Sequence, residues 1–594
     1  MRAMKLIALM VAVPAMVAAS STPARAGDIL LNIVDAPNVG FNDPTPVAPV
    51  GGNAGTTLGE QRRIVFQAAA SIWEAALSPN VDIIVQSSFA PLACSATTGV
   101  LGSAGTIQIF ANFENAEWPN TWYHAALANH LAGSDLTPGP PDSGLLAPPF
   151  NDDIVAFFNG DIGVNPACLT GLSWYNGLDN NEAPNQIDLL SVVLHEFGHG
   201  LGFANFMTEA SGTAILGLGD IYSAYTYDND QELFWNQMGK RQRAASATND
   251  PDLVWRGPNV FGAAAGQLSG LPVVRVNAPA GIADDYAAQP ATYGLPLDGP
   301  PGDTGDVVLY NDGTGADPND ACDCPFASVC PVAAPLDFNV AGKIALINRG
   351  TCNFALKSAL AQLAGAVGVI IANNAPTGLP PMGGVDLLAP TISSVGISRS
   401  DGNLIKANLP GVNATLVADQ ALGLSGADPD GFPKLYAPSP VQPGSSVSHW
   451  DITLTPNKLM EPAINSDLES ATTLDLTPML MEDIGWSGGP HCPVGADDRA
   501  EVMVGSCSTG VANTKGPYAF SLGIPRTIPE LQANGNAYGV DAFGGCYIQD
   551  MVNGCLKQGG SGAAKSCLAH VTQYLEAIVA IASSDGQAIQ SCAK

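Results

Sequence analysis

Five consecutive residues, His195-Glu196-Phe197-Gly198-His199, restrict the fold of this 594-residue chain more than any other segment does. Histidines four positions apart share one face of an α-helix, so both imidazoles can bind a single metal ion. Glu196 then lies beside the remaining coordination position of that metal, a pattern typical of zinc hydrolases. The apolar residues over 189–194 predict that this helix, over 188–200, is largely buried.

The N-terminus predicts export. Arg2 and Lys5 precede an apolar run over 6–19, and Ala24-Arg25-Ala26 resembles a cleavage site, so we predict a signal peptide over 1–26. No apolar run is long enough to cross a bilayer, so we expect a secreted protein, extracellular or periplasmic, without a transmembrane segment. The net charge of −31 opposes binding to nucleic acids and to anionic membranes.

Twelve cysteines in an exported chain predict disulfides rather than thiol chemistry. They fall into three groups along the chain, each with an even number of cysteines, which predicts three separately cross-linked regions. The pairing within the two larger groups is left open. Zinc binding by cysteine is the alternative, which the one-residue spacing between Cys322 and Cys324 disfavours. The sets are Cys94 and Cys168; Cys322, Cys324, Cys330 and Cys352; and Cys492, Cys507, Cys546, Cys555, Cys567 and Cys592.

The residues before the histidine helix predict an α+β order of elements. Thr57 and Glu60 have the spacing of a capping box, which predicts the start of a helix that Pro79 ends. Short β-type runs follow over 81–85, 107–113 and 154–158. The predicted buried face of the first helix consists of Ile64, Val65, Ala68 and Ile72.

A third metal ligand is missing at its usual place. Gly202 allows a sharp turn after the second histidine, and metzincin zinc peptidases usually have a third histidine three residues further on. This chain has Asn205 there, and asparagine is a poor zinc ligand. Of the other five histidines, we expect structural roles for His124, His130, His491 and His570.

The fifth of these histidines, His449, lies in Ser446-Val447-Ser448-His449-Trp450-Asp451, and a methionine follows eleven residues after it. This arrangement resembles the leishmanolysin family of metzincins, in which an insertion displaces the third zinc histidine. The resemblance implies that His195, His199 and His449 bind zinc, that Glu196 is catalytic, that Gly202 is the turn glycine and that Met460 forms the Met-turn. Residues 474–486 resemble the helix that closes the catalytic domain. The similarity is strong over 190–205 and 445–487 and only architectural over 27–189.

A second resemblance covers about 270–418. A strand-like run over 342–347, the residues Arg349-Gly350-Thr351-Cys352, a helix over 353–363 and a strand over 367–372 resemble a protease-associated (PA) domain. The resemblance implies a domain without catalytic residues that engages substrate or restricts access to the site. A plain spacer, inserted at a tolerant loop, is the alternative.

Together these features predict an α+β fold, in which a metzincin-type catalytic domain is interrupted by a β-rich α/β PA domain and followed by a disulfide-rich tail. The predicted ranges are a signal peptide over 1–26, the catalytic domain over 27–250 and 426–487, the PA domain over 251–425 and the cysteine-rich region over 488–594.

The expected function is zinc-dependent endopeptidase activity on protein or peptide substrates, with one catalytic zinc and a zinc-bound water activated by Glu196. The alternatives are a PA-domain aminopeptidase, and a secreted binding or adhesion protein with a vestigial metal site. Calcium binding by Asp312, Asp317, Asp320 and Asp323 is a further but weaker possibility than a solvated loop.

Overall fold

The computed structural model describes residues 27–486 with gaps at 143–149, 314, 326–329, 331–333, 351, 385–389 and 464–473. In the tail it describes 499–504, 507–513, 515–516, 546–549 and 582–592, with single residues at 552, 565, 568, 569 and 572. The predicted signal peptide over 1–26 therefore lies outside the described residues. Within the described part, no helix combines the length and the apolar character that crossing a membrane requires.

Residues 27–269 form the first part of the main body, with its helices and strands in the following order. They are β1 Ile29–Ile33, α1 Leu58–Leu77, β2 Ile83–Ala90, β3 Gly102–Thr106, β4 Ile109–Phe110, β5 Thr121–His124, α2 Ala125–Ala132, β6 Ile154–Asn159, β7 Ser173–Tyr175, β8 Gln186–Asp188, α3 Leu189–Leu201, β9 Met207–Thr208, β10 Thr213–Ala214, β11 Gly219–Asp220, β12 Thr226–Asp228, β13 Leu233–Phe234, α4 Lys240–Ser246, β14 Leu253–Trp255 and α5 Pro258–Gln267.

The later elements form an inserted barrel, the end of the main body and the tail. The barrel contains β15 Gly270–Ala278, β16 Asp285–Pro290, β17 Asp303–Leu309, β18 Ile344–Asn348, α6 Phe354–Leu363, β19 Gly368–Ala372, β20 Ser394–Ile397, α7 Arg399–Ala407 and β21 Asn413–Leu424. The remainder contains α8 Thr477–Ile484, β22 Glu501–Val504, β23 Cys507–Ala512, β24 Lys515–Gly516, β25 Cys546–Tyr547 and α9 Ser583–Cys592.

Helix α1 begins at the predicted capping box. The Glu60 N–H donates to Thr57 Oγ1 over 3.2 Å, and the Thr57 N–H donates to Glu60 Oε2 over 3.1 Å. The predicted buried face was partly correct, because Val65 is fully buried whereas Ile64, Ala68 and Ile72 are only half-buried. The centre of the face that meets the core also contains Phe66 and the larger ring of Trp73, whose burial removes more apolar area from water.

The main sheet has the strand order β1-β2-β6-β3, with β1, β2 and β6 parallel and β3 antiparallel at one edge. The predicted runs over 81–85 and 154–158 correspond to β2 and β6. The run over 107–113 yields only the two residues of β4. Strand β3 was not predicted, because the sequence Gly102-Ser-Ala-Gly-Thr106 has no aromatic residue and only one β-branched residue, Thr106, to indicate a strand.

Residues 270–424 form a closed barrel with the strand order β15-β16-β20-β19-β18-β17-β21. The predicted strands and helix over 342–372 are present as β18, α6 and β19. The predicted start of the insertion at 251 was too early, because β14 pairs with β12 and α5 packs against α8 in the main body. The hydrophobic core of the main body accordingly includes Leu253, Trp255 and Val260 from these two elements.

The two ends of the barrel leave the main body at one place. Gly270 pairs with Leu424, the Ser425 N–H donates to the Ser269 carbonyl over 2.9 Å, and Ser425 Oγ donates to the Gly270 carbonyl over 2.8 Å. A domain inserted between neighbouring chain ends does not separate the two halves of its host. The 250 residues between His199 and His449 are therefore compatible with one site.

The predicted disulfide sets are confirmed where the residues are described. Cys94 is bonded to Cys168 in the main body, and the four barrel cysteines form the pairs Cys322–Cys352 and Cys324–Cys330. In the tail, Cys507 is bonded to Cys592. These cysteines are consequently not zinc ligands.

Candidate metal centre

Helix α3 carries the first two histidines, and both of its ends are held by specific contacts. At its start, Asp188 Oδ1 accepts hydrogen bonds from the Leu190 and Ser191 N–H groups over 2.6 and 3.2 Å. At its end, Gly202 has a φ of 150°, and a Cβ there would lie 2.4 Å from Ile484 Cδ1 of α8. Only glycine fits this turn, which directs the chain away immediately after His199.

The structure brings His195, His199 and His449 together. Their Nε2 atoms are separated by 3.1 Å between His195 and His199 and by 3.2 Å between His449 and each of the other two. His199 and His449 are buried, whereas His195 is partly exposed. Among the described residues, this is the one group of three metal-ligating side chains whose ligand atoms all lie close together.

Each ring is oriented by a backbone carbonyl at its other nitrogen. The distances from Nδ1 are 2.6 Å to the Leu459 oxygen for His195, 2.8 Å to the Phe203 oxygen for His199 and 2.8 Å to the Ser445 oxygen for His449. A carbonyl only accepts, so each Nδ1 carries the proton and each Nε2 presents a lone pair. Carbonyl partners of this kind are typical of histidines that bind metals.

Three lone pairs that face one another are favourable only around a cation. Ligand nitrogens lie about 3.3–3.4 Å apart in a tetrahedral site whose zinc–nitrogen bonds are about 2.0–2.1 Å long. The observed Nε2 separations are within a few tenths of an ångström of that value. The residues present therefore fit a zinc ion with three histidine ligands and a fourth position left open.

Burial also favours the protonation states that metal binding requires. Desolvation lowers the pKa of His195, lowers that of His199 to about 3 and places that of His449 well below its usual value. The three imidazoles are consequently neutral at pH 7, as ligands must be. Burial raises the pKa of Glu196 to about 8, while the Ala104 N–H, which donates to its carboxylate, acts in the opposite direction.

Glu196 lies against the edge strand β3. A Cβ on Gly102 would lie 2.6 Å from Glu196 Oε1, so any side chain at 102 would collide with the carboxylate. Position 102 therefore requires glycine, and a larger residue that would make β3 easier to recognise as a strand does not fit there. Glu196 therefore lies beside an antiparallel edge strand.

Met460 lies directly beneath α3. It is fully buried, and its Sδ lies 2.7 Å from the point where a Cβ on Gly198 would be. Its neighbour Leu459 supplies the carbonyl that orients His195, and the Leu459 N–H donates to Asp475 Oδ2 over 2.5 Å. Asp475 was not among the predicted site residues, because only the folded chain brings it to a peptide sixteen positions away.

The other predicted histidines lie outside the cluster or outside the described residues. His124 is fully buried against Phe206, and burial lowers its pKa to about 3. His130 packs against Trp486, with ring centres 5.0 Å apart. His491 and His570 are not among the described residues.

The acidic barrel loop does not gather its carboxylates into a described cluster of three. Asp317 accepts hydrogen bonds from the Asn319 N–H and from Asn348 Nδ2, and Asp320 accepts one from the Cys322 N–H. The carboxylates of Asp317 and Asp320 therefore have hydrogen-bond partners within the barrel, and the structure adds no support for calcium.

Comparison with known proteins identifies one part of the chain. The family model of the PA domain matches residues 303–405. No curated protein matches the chain in sequence. The barrel of residues 270–424 is therefore built around a PA domain, which lies between His199 and His449 in the chain.

Several solved structures share a limited likeness. They include BSAP, a zinc aminopeptidase from Bacillus subtilis (22% identity, 27% of this chain, 36% of that chain, TM-score 0.18). An aminopeptidase from Aneurinibacillus sp. strain AM-1 matches at 20% identity, over 34% of this chain and 41% of that chain, with a TM-score of 0.19. The subtilisin-like protease Apa1 from the Antarctic psychrotroph Pseudoalteromonas sp. AS-11 matches at 19% identity, over 26% and 34%, with a TM-score of 0.18. The chain thus spans 34% to 41% of the length of these proteins, and TM-scores this low carry no argument about its main body.

Proposed function

We propose that this chain is a zinc-dependent peptidase whose metal is held by His195, His199 and His449 and whose general base is Glu196. The observation that carries the proposal is the convergence of three Nε2 lone pairs, each fixed by a carbonyl at Nδ1, beside a buried carboxylate. A buried histidine cluster kept only for structure would gain nothing from such an arrangement.

The residues of the chain would then divide the chemistry as follows. Bound zinc would supply Lewis acidity toward water and toward the peptide carbonyl. In its ionised form, which the positive charge of a bound zinc ion would favour, Glu196 takes a proton from the attacking water at a carboxylate oxygen and delivers it to the leaving amine. The carbonyls of Leu459, Phe203 and Ser445 keep the imidazoles oriented throughout.

Endopeptidase activity is the form of this function that the surroundings of Glu196 favour. Strand β3 pairs with β6 on one side, and among the described strands it has no partner on the other. An extended peptide can add to such an edge through main-chain hydrogen bonds, and it can continue on both sides of the bond that is cleaved. This mode of binding requires no free terminus.

An aminopeptidase is the second candidate. Two of the solved structures named above are described as aminopeptidases, but a likeness at this level decides nothing about the main body. Among the described residues there is one cluster of three ligands, and a second metal would need further ligands, so this observation favours the endopeptidase.

Cleavage of matched peptides separates the candidates. For a ten-residue peptide with either a free or an acetylated N-terminus, we expect internal cleavage of both forms at similar rates and one zinc per chain. Stepwise removal of N-terminal residues from the free peptide alone would establish the aminopeptidase. A chain without zinc and without cleavage of either peptide would support the binding or adhesion protein. Mass spectrometry of the products and elemental analysis provide the measurements.

The PA domain is expected to control access to large substrates. The residues just before the barrel contact the segment that leads to Met460, since the Ser269 N–H donates to the Thr455 carbonyl and Lys458 Nζ donates to the Gln267 carbonyl, each over 2.7 Å. Replacing 271–423 with a short glycine-serine linker should leave zinc content and short-peptide cleavage unchanged. We expect kcat/KM for casein to change by at least about fivefold, the lower end of typical coupling between sites.

The direction of that change has a structural meaning. A rise in casein cleavage identifies the barrel as a gate, and a fall identifies it as a substrate-binding surface. Equal casein kinetics in the two proteins would contradict the proposal and leave the barrel as a spacer. Thermal unfolding of the shortened protein, compared with the full chain, controls for damage to the main body.

A further inference from the structure

We propose that Asn205 is a positioning residue for the third metal ligand, acting through the hydroxyl of Ser448. Asn205 stands three residues beyond Gly202, where the chain leaves α3, and its contacts reach the segment that carries His449. The inference rests on the proposed metal site and deepens it.

Two hydrogen bonds from Asn205 converge on one atom. The Asn205 N–H donates to Ser448 Oγ over 3.2 Å, and Asn205 Nδ2 donates to the same oxygen over 3.0 Å. These bonds join positions 243 residues apart, directly beside His449. They connect the element that carries the first two ligands to the segment that carries the third.

The amide of Asn205 is itself held in one orientation. Its Oδ1 accepts from the Met207 N–H over 2.8 Å, and its Nδ2 also donates to Glu209 Oε1 over 3.2 Å. The acceptor side of the amide therefore faces Met207 and the donor side faces Ser448. A residue that offers a donor and an acceptor on one short planar group is needed here.

The segment before His449 needs such support. Val447 has a φ of 69°, in the left-handed region that β-branched residues rarely adopt. This conformation turns the chain so that Ser448 and His449 follow, and it persists only where neighbouring contacts impose it. On one side Tyr222 Oη donates to the Val447 carbonyl over 2.9 Å, and on the other Asn205 holds Ser448.

Removing the Asn205 side chain should therefore weaken the metal site without removing a ligand. For Asn205→Ala we expect zinc affinity to fall by about 10–100-fold, the usual effect of losing a group that orients a ligand. Ser448→Ala should give a similar fall, whereas Ser448→Thr, which keeps the hydroxyl, should stay close to the parent protein.

A double-mutant cycle with zinc dissociation constants, measured by competition with a chelator, tests the inference. If Asn205 acts through Ser448, the double variant Asn205→Ala/Ser448→Ala binds zinc no more weakly than the worse single variant. Asn181→Ala, at an exposed asparagine outside the site, serves as the matched control. Zinc affinity of Asn205→Ala within twofold of the parent, or fully additive losses, would overturn the inference.

Two further measurements keep the test decisive. If Asn205→Ala does not fold, the comparison of Ser448→Ala with Ser448→Thr carries it, and equal zinc affinities in that pair would count against the inference. If His449→Ala binds zinc like the parent protein, the proposed metal site itself is wrong. If His449→Ala loses zinc while Asn205→Ala does not, only the role of Asn205 fails.

Discussion

Glu196→Gln is expected to lower peptide hydrolysis by about 10²–10⁴-fold, the contribution typical of general acid–base catalysis. Glutamine keeps the shape of the side chain and can still accept a hydrogen bond from the Ala104 N–H, but it cannot take a proton from water. Because Glu196 is not among the three clustered ligands, zinc content should remain that of the parent protein. Hydrolysis rates and elemental analysis of the same preparations measure both effects.

The comparison requires a control that loses a carboxylate elsewhere. Glu182→Gln, at an exposed position, should leave both activity and zinc content unchanged. Retention of more than a tenth of the parent activity by Glu196→Gln would show that Glu196 is not the general base. Loss of zinc from the same variant would instead identify Glu196 as a ligand and would change the chemistry assigned to the site.

His449→Ala is expected to remove most of the affinity for zinc. Four ligands together contribute about 10–16 kcal/mol in structural zinc sites, so loss of one histidine should weaken binding by about 10²–10³-fold. Activity at a limiting zinc concentration should fall in parallel, because an incompletely held metal dissociates from the protein. Competition with a chelator measures the affinity, and added zinc should restore part of the activity.

His130→Asn is the matched control for that variant. It removes a buried imidazole that packs on Trp486 and lies outside the three-histidine cluster, so its zinc affinity should equal that of the parent. An unchanged zinc affinity in His449→Ala would mean that the metal is held by other residues. That result would also favour the aminopeptidase, whose metals would then need a different set of ligands.

Local patterns predicted several elements correctly because their causes are local. The hydrogen bonds between Thr57 and Glu60 start α1, and Asp188 starts α3, within a few residues of sequence. The buried strands β18 and β19 are continuous apolar runs, as expected of strands covered on both faces. The even number of cysteines in each group predicted separate disulfide-bonded regions, and every described disulfide joins two cysteines of the same group.

The errors have a common origin in contacts that come from elsewhere in the chain. Strand β3 is recognisable only from its pairing with β6 and from the closeness of Gly102 to Glu196. The buried face of α1 follows the aromatic rings that fill the core. The barrel begins near 270 because β14 pairs with β12, a contact that no composition change along the chain reveals.

The sequence by itself determined the relative placement of two candidate ligands and a candidate base, because the helical period positions His195, Glu196 and His199 relative to one another whatever surrounds them. A family resemblance, rather than spacing, pointed to His449. Only the tertiary structure decided how the His449 ring is placed against the other two. Its position depends on the pairing of the two ends of the barrel and on the hydrogen bonds from Asn205 to Ser448. The partners in two of these contacts are 155 and 243 residues apart in sequence, so the fold of the whole chain, and not local sequence, brings them together.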